Sequence, residues 1–117
     1  MTLTEHRVGD VTVLSLSGRL VYNEGDVVLR ARVNDLVTEG QLKLVIELHE
    51  VTALDSCGVG ELVARLVSVR QKGGDIKLVH LSSRSQRVMQ ISRLLDVFES
   101  FETEAEAIAR FDAQLRA

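Results

Sequence analysis

The period of apolar and polar positions changes along the chain and lays out its elements. Residues 3–8 and 11–16 are strand-forming runs on either side of Gly9-Asp10, with Val11, Val13, Leu14 and Leu16 following that tight-turn pair, so a leading β-hairpin is expected. After Gly18-Arg19-Leu20 comes a polar loop, Asn23-Glu24-Gly25-Asp26, and then Leu29, Val33, Leu36 and Val37 at helical spacing until Gly40 stops the run. Residues 43–48 are almost continuously apolar, the signature of a strand covered on both faces. Val59, Leu62, Val63 and Leu66 form the stripe of a second helix. Glu61 and Arg65, four apart, fall on its outer side, where they are expected to pair weakly.

The second half continues the alternation. Gly73-Gly74-Asp75 ends the helix and residues 76–81 read as another buried strand. Ser83 and Gln86 have the spacing of a capping box, opening a helix that carries Val88, Ile91 and Leu95. A short strand over residues 97–101 follows. Thr103 and Glu106 repeat the capping-box spacing, before a terminal helix with Ala107, Ile108, Phe111 and Leu115 as its core stripe. Strands alternating with helices predict an α/β fold with a mainly parallel sheet, to which the hairpin adds an antiparallel pair. The expectation is one domain over residues 1–117, with a mixed four- to five-stranded sheet and about four helices. The functional surface of such a sheet lies beyond the carboxyl ends of its parallel strands, where a loop over residues 51–56 is expected to emerge.

Composition narrows the function. A chain of 117 residues, 45% hydrophobic and 26% charged, can build one core without disulfides or metals. No apolar stretch approaches the roughly 20 residues that span a bilayer, so no membrane insertion is expected. Met1-Thr2-Leu3-Thr4-Glu5 lacks the basic and then apolar pattern of a secretory signal, which makes the cytoplasm the expected location. A net charge of -3 with scattered basic residues argues against direct nucleic-acid binding. Cys57 is the only cysteine and His6, His49 and His80 are dispersed, so neither a disulfide nor a metal site is indicated, and no cofactor is expected. Tyr22, Phe98, Phe101 and Phe111 are the only aromatic residues. The core must therefore be aliphatic, and no stacking platform for bases is in prospect.

The most informative segment is Asp55-Ser56-Cys57-Gly58-Val59-Gly60, which places a hydroxyl where strand becomes helix. Ser56 admits three readings: a plain helix cap, a catalytic nucleophile, or an acceptor for a phosphoryl group supplied by another protein. The cap is the simplest. The Gly-x-Ser-x-Gly elbow is absent and no histidine segment offers a matched base, so an enzyme is not expected and no residue is assigned a catalytic role. A phosphate at Ser56 would sit at the positive end of the helix dipole, among backbone N–H donors. Cys57 reads as a small buried filler in preference to a redox sensor. Gly58 and Gly60 lack the lysine of a P-loop, and close backbone packing explains them.

The twelve residues Val51-Thr52-Ala53-Leu54-Asp55-Ser56-Cys57-Gly58-Val59-Gly60-Glu61-Leu62 resemble the signature of STAS domains, specifically of bacterial anti-sigma factor antagonists, in which Asp-Ser-Ser/Cys-Gly introduces the second helix. The resemblance extends to Gly18-Arg19-Leu20, to Gly73-Gly74 and to Leu94-Leu95-Asp96-Val97-Phe98. It implies a STAS-like fold and partner switching: the protein binds an anti-sigma serine kinase, frees the sigma factor which that kinase sequesters, and so regulates transcription. It further implies phosphorylation at Ser56 by the kinase and reversal by a PP2C-type phosphatase. Under it, Arg19, Leu20, Val21, Asp55, Ser56, Cys57, Gly58 and Val59 form the partner-binding segment, with Asp55 shaping the site and Gly58 allowing close partner approach. A weak homodimer is compatible with this reading. Many members read Gly-Glu-Leu-Asp where this chain has Gly18-Arg19-Leu20-Val21, a change of charge sign that bears on partner choice. The alternative is a non-switching scaffold or subunit, in a stress-signalling assembly or a lipid-transport complex.

Overall fold

The computed structural model describes residues 1–79 and 97–116. Their strands are β1 (Thr2–Val8), β2 (Val11–Leu20), β3 (Lys43–Leu54), β4 (Asp75–Val79) and β5 (Glu99–Phe101), and their helices are α1 (Gly25–Thr38), α2 (Ser56–Gln71) and α3 (Glu104–Arg116). The strands lie side by side in chain order. β1 and β2 form the expected antiparallel hairpin, with Val8 opposite Val11, and every later pairing is parallel. The fold is thus α/β with a mixed sheet. The expected helix over residues 83–95, with its Ser83 and Gln86 cap, lies outside the described residues, as do positions 80 and 81 of the expected fourth strand and the side chain of Leu115.

Strand alternation sorts the apolar residues into two layers. Leu14, Leu16, Leu44, Ile46, Leu48, Ile76 and Leu78 point to one face, where Leu29, Val33 and Leu36 of α1 and Leu62, Leu66 and Val69 of α2 cover them. Val11, Val13, Val45 and Val79 point to the other, against Ala107 and Phe111 of α3. Leu44, Val45 and Ile46 follow one another without alternation because both faces are covered. Lys77, fully buried on the α3 side, is tied to Asp75 at 3.1 Å and Glu99 at 3.2 Å, with its ammonium 4.4 Å from the centre of the Phe111 ring. α3 opens as expected, the Thr103 hydroxyl accepting from the Glu106 backbone N–H at 3.2 Å.

Three boundaries differ from expectation for identifiable reasons. β2 runs on to Leu20 and β3 to Leu54, so most of the expected loop over residues 51–56 is strand, paired with Gly18, Arg19 and Leu20. Two register shifts, between Ser15 and Ser17 and between Gly18 and Arg19, break the period-2 pattern there. The last strand shortens to Glu99–Phe101, and Phe98 instead packs into the core under α1 and α2. Glu61, expected on the outer side of α2, is buried in the seam with α1. Its Oε2 accepts from Arg30 Nη2 at 2.8 Å and Nε at 3.1 Å, and its Oε1 lies 2.8 Å from Arg65 Nε. What a lone helix presents as its solvent side is here a contact between helices.

Candidate functional site

β2 and β3 are parallel, so their carboxyl ends leave the sheet together, and the loops that follow start α1 and α2 side by side. Both helix starts rest on the end of β2. A methyl group on Gly25 would lie 2.5 Å from the Arg19 carbonyl oxygen, and one on Gly58 only 2.0 Å from that of Leu20. Neither distance accommodates a carbon atom, so only glycine permits this approach. The expectation that Gly58 admits a partner is corrected: it is buried, and what it admits is the chain's own Leu20.

Asp55, with extended backbone, caps α2, its Oδ1 accepting from the Gly58 N–H at 2.8 Å. Its Oδ2 accepts from the Tyr22 N–H at 3.0 Å, so one carboxylate joins the β2–α1 loop to the start of α2. Partial burial pushes this carboxyl up, but the backbone N–H groups of Tyr22, Gly58 and Cys57 together outweigh it and hold the group below the ordinary aspartate range. The reading of Ser56 as the cap is therefore corrected by one position. Ser56 is the first helical residue, exposed, with the cap filled by its neighbour.

Cys57 is exposed, which corrects its expected place as a small buried filler. Near its start α2 has solvent on the side that carries residues 56 and 57, while Gly58 and Val59 turn inward and are buried. Leu20 is fully buried as well, and Val21 half-buried. The Val21 carbonyl accepts from Glu24 N at 3.1 Å and Asp26 N at 3.5 Å, which closes the turn into α1. Arg19 is 61% exposed and pairs with Glu24 at 3.3 Å, so the reversed charge at this position is balanced by an acidic residue five positions on. Among the residues expected at the surface, Arg19, Val21, Ser56 and Cys57 reach it, whereas Leu20, Gly58 and Val59 hold the segment in place.

Tyr22 is the residue that the pattern of the chain did not single out. Its side chain is 70% exposed, on the loop that Asp55 pins. The available signal was an aromatic residue standing at the edge of an otherwise polar loop. Val27 and Val28, in the first turn of α1, are also exposed. Among the described residues no three His, Cys, Asp or Glu side chains converge as a metal site, and no helix is long and apolar enough to cross a membrane.

Chemically, the site presents a hydroxyl at the positive end of a helix whose Gly58 N–H is already engaged by Asp55. A phosphate on Ser56 would gain from the dipole. It would also stand beside the Asp55 carboxylate, which already holds the Gly58 N–H.

The STAS domain model matches residues 3–107. The chain is 26% identical over 109 residues to an anti-sigma F factor antagonist from Paenibacillus polymyxa, covering 92% of each protein. It is 33% identical over 90 residues to an anti-sigma-B factor antagonist from Listeria monocytogenes, covering 74% of this chain and 79% of that one. In fold it is similar to the Bacillus protein SpoIIAA, solved unphosphorylated (TM-score 0.74, 22% identity, 95% of this chain and 98% of that one) and phosphorylated (TM-score 0.73, 24% identity, 94% and 99%). A family match across almost the whole chain, with relatives of this kind, leaves one conclusion: the protein belongs to the STAS domain family, among the bacterial anti-sigma factor antagonists.

Proposed function

We propose that this protein binds an anti-sigma serine kinase through the surface around Ser56, and that phosphorylation of Ser56 by that kinase dissolves the complex. Free of phosphate, it occupies the kinase and releases the sigma factor the kinase holds; a PP2C-type phosphatase restores this state. The carrying observation is the exposed Ser56 hydroxyl on a helix start fixed by the Asp55 cap. Two relatives are named as antagonists of anti-sigma factors, and SpoIIAA has a phosphorylated form of the same fold. Arg19, Val21, Ser56 and Cys57 supply contacts, while Leu20, Asp55, Gly58 and Val59 position them.

In the forward step the Ser56 oxygen forms a bond to the γ-phosphorus of ATP held by the kinase, the bond from that phosphorus to ADP breaks, and the hydroxyl proton passes to a kinase base. Phosphatase-catalysed hydrolysis returns the hydroxyl and releases inorganic phosphate. The protein itself is acceptor and binding module, not catalyst. The modification adds about -1.5 to -2 charge on an outward-facing residue, so it blocks an interface without melting the helix.

The test incubates the protein with each anti-sigma serine kinase of its source organism and ATP, followed by mass spectrometry and affinity measurements. Phosphate is expected on Ser56 and absent in Ser56→Ala. Ser56→Asp is expected to bind about tenfold or more weakly, the effect of about 1.4 kcal/mol. No phosphate on Ser56, or unchanged affinity of Ser56→Asp, overturns the proposal.

A further inference from the structure

We infer that Tyr22 is the apolar anchor of the Ser56 interface and sets which kinase the protein accepts. This rests on the reading of Ser56 given above. Among the large apolar side chains left exposed in the described residues, Tyr22 is the most open, at 70%. It is not on a loose loop. Its own N–H is bound to Asp55 Oδ2 at 3.0 Å, Asn23 after it takes the left-handed conformation at φ 57°, and Val21 closes the turn by accepting from Glu24 and Asp26.

The carboxylate that fixes Tyr22 is the one that caps the helix bearing Ser56, so ring and hydroxyl are held by a common group. A partner that reaches Ser56 meets Tyr22 on the adjoining loop. Because the backbone is already fixed, burying the ring costs little ordering entropy, and tyrosine has only two side-chain torsions to lose. Tyrosine is accordingly enriched among the few residues that carry most binding energy. Val27 and Val28 add exposed apolar surface beyond it, and the Arg19–Glu24 pair supplies a polar, nearly neutral rim. The complementary kinase surface is an apolar pocket with polar edges, rather than a strongly basic or acidic face.

The test uses the kinase that phosphorylates Ser56. Tyr22→Ala is expected to weaken binding on the order of 30-fold, while Tyr22→Phe stays within about threefold, since the ring is what is buried. Melting temperatures should be unchanged in both, because the bond to Asp55 uses the backbone amide. Should Tyr22→Ala fold poorly, Tyr22→Gln removes the ring and keeps a long side chain. A loss of less than about tenfold in a folded ring-less variant, with Ser56 still phosphorylated, overturns the anchor and leaves the switch standing. Failure of any kinase to phosphorylate Ser56 overturns both.

Discussion

The α-carbon of Gly58 faces the carbonyl oxygen of Leu20 so closely that a methyl group there would lie 2.0 Å from it. The obstacle is backbone, which cannot rotate aside as a side chain can. This contact sets how near the start of α2 comes to the end of β2, and with it the reach of the Asp55 carboxylate to Tyr22 in the loop that follows β2.

Gly58→Ala should therefore destabilise the protein by about 2–3 kcal/mol, the upper part of the usual range of forced overpacking. Gly60, two residues on in the same helix, has nothing within 4 Å of an added methyl. Gly60→Ala should stabilise by about 0.5–1 kcal/mol, because alanine loses less backbone freedom in a helix. Urea unfolding midpoints of the two variants test the contrast, and equal shifts of either sign would contradict it.

Asp55→Ala should cost about 1–2 kcal/mol at pH 7, as removal of a cap does, whereas Ser56→Ala should change stability by less than about 0.5 kcal/mol because Ser56 is not the cap. The pH dependence has a definite sign. The folded-state pKa of Asp55 lies below its unfolded value, so its contribution is complete above the unfolded value and is lost as pH falls through the folded one. The gap between wild type and Asp55→Ala should stay constant from pH 7 to about 5 and close below about pH 4. Unfolding free energies measured across that range decide the matter.

Much of this architecture was readable where a local pattern determines structure alone. Leu44, Val45 and Ile46 are apolar in succession because helices cover both sheet faces, and the Thr103–Glu106 spacing marks a real helix start. The site was less readable for physical reasons. Asp55 and Ser56 are adjacent and both suit an N-cap, so composition does not say which one fills it. The exposure of Cys57 and the burial of Glu61 depend on where α1 lies against α2, a tertiary fact that the period of one helix does not contain. The extension of β3 to Leu54 was hidden by register shifts that interrupt alternation. Gly58 was recognised as a close-packing residue, but the surface it meets is internal.

Lys77 provides a test of how the α3 side of the sheet is held. Its ammonium is fully buried between Asp75 and Glu99, which also pair with Arg70 and Arg110. Lys77→Met keeps most of the packing volume and leaves both carboxylates with an arginine, so the loss should stay within about 1.5 kcal/mol. Lys77→Ala opens a cavity beside Phe111 as well and should lose about 2–4 kcal/mol. Thermal unfolding of the pair tests this. A larger loss in the methionine variant would mean that charge, not volume, secures β5 and α3.

Glu61 is the corresponding test for the seam that sets the two helix starts beside each other. It is buried, and two arginines converge on it, Arg30 from α1 at 2.8 Å and Arg65 from α2 at 2.8 Å. Removing the carboxylate leaves Arg65, itself mostly covered, without its counter-charge, so Glu61→Ala should cost about 3 kcal/mol or more. Arg30 is half exposed and water can replace it, so Arg30→Ala should cost less than about 1 kcal/mol. The double variant should be no worse than Glu61→Ala alone, since Arg30 contributes through the carboxylate already removed. A double-mutant cycle by denaturant unfolding measures this. Strict additivity would show that Arg30 and Glu61 act independently.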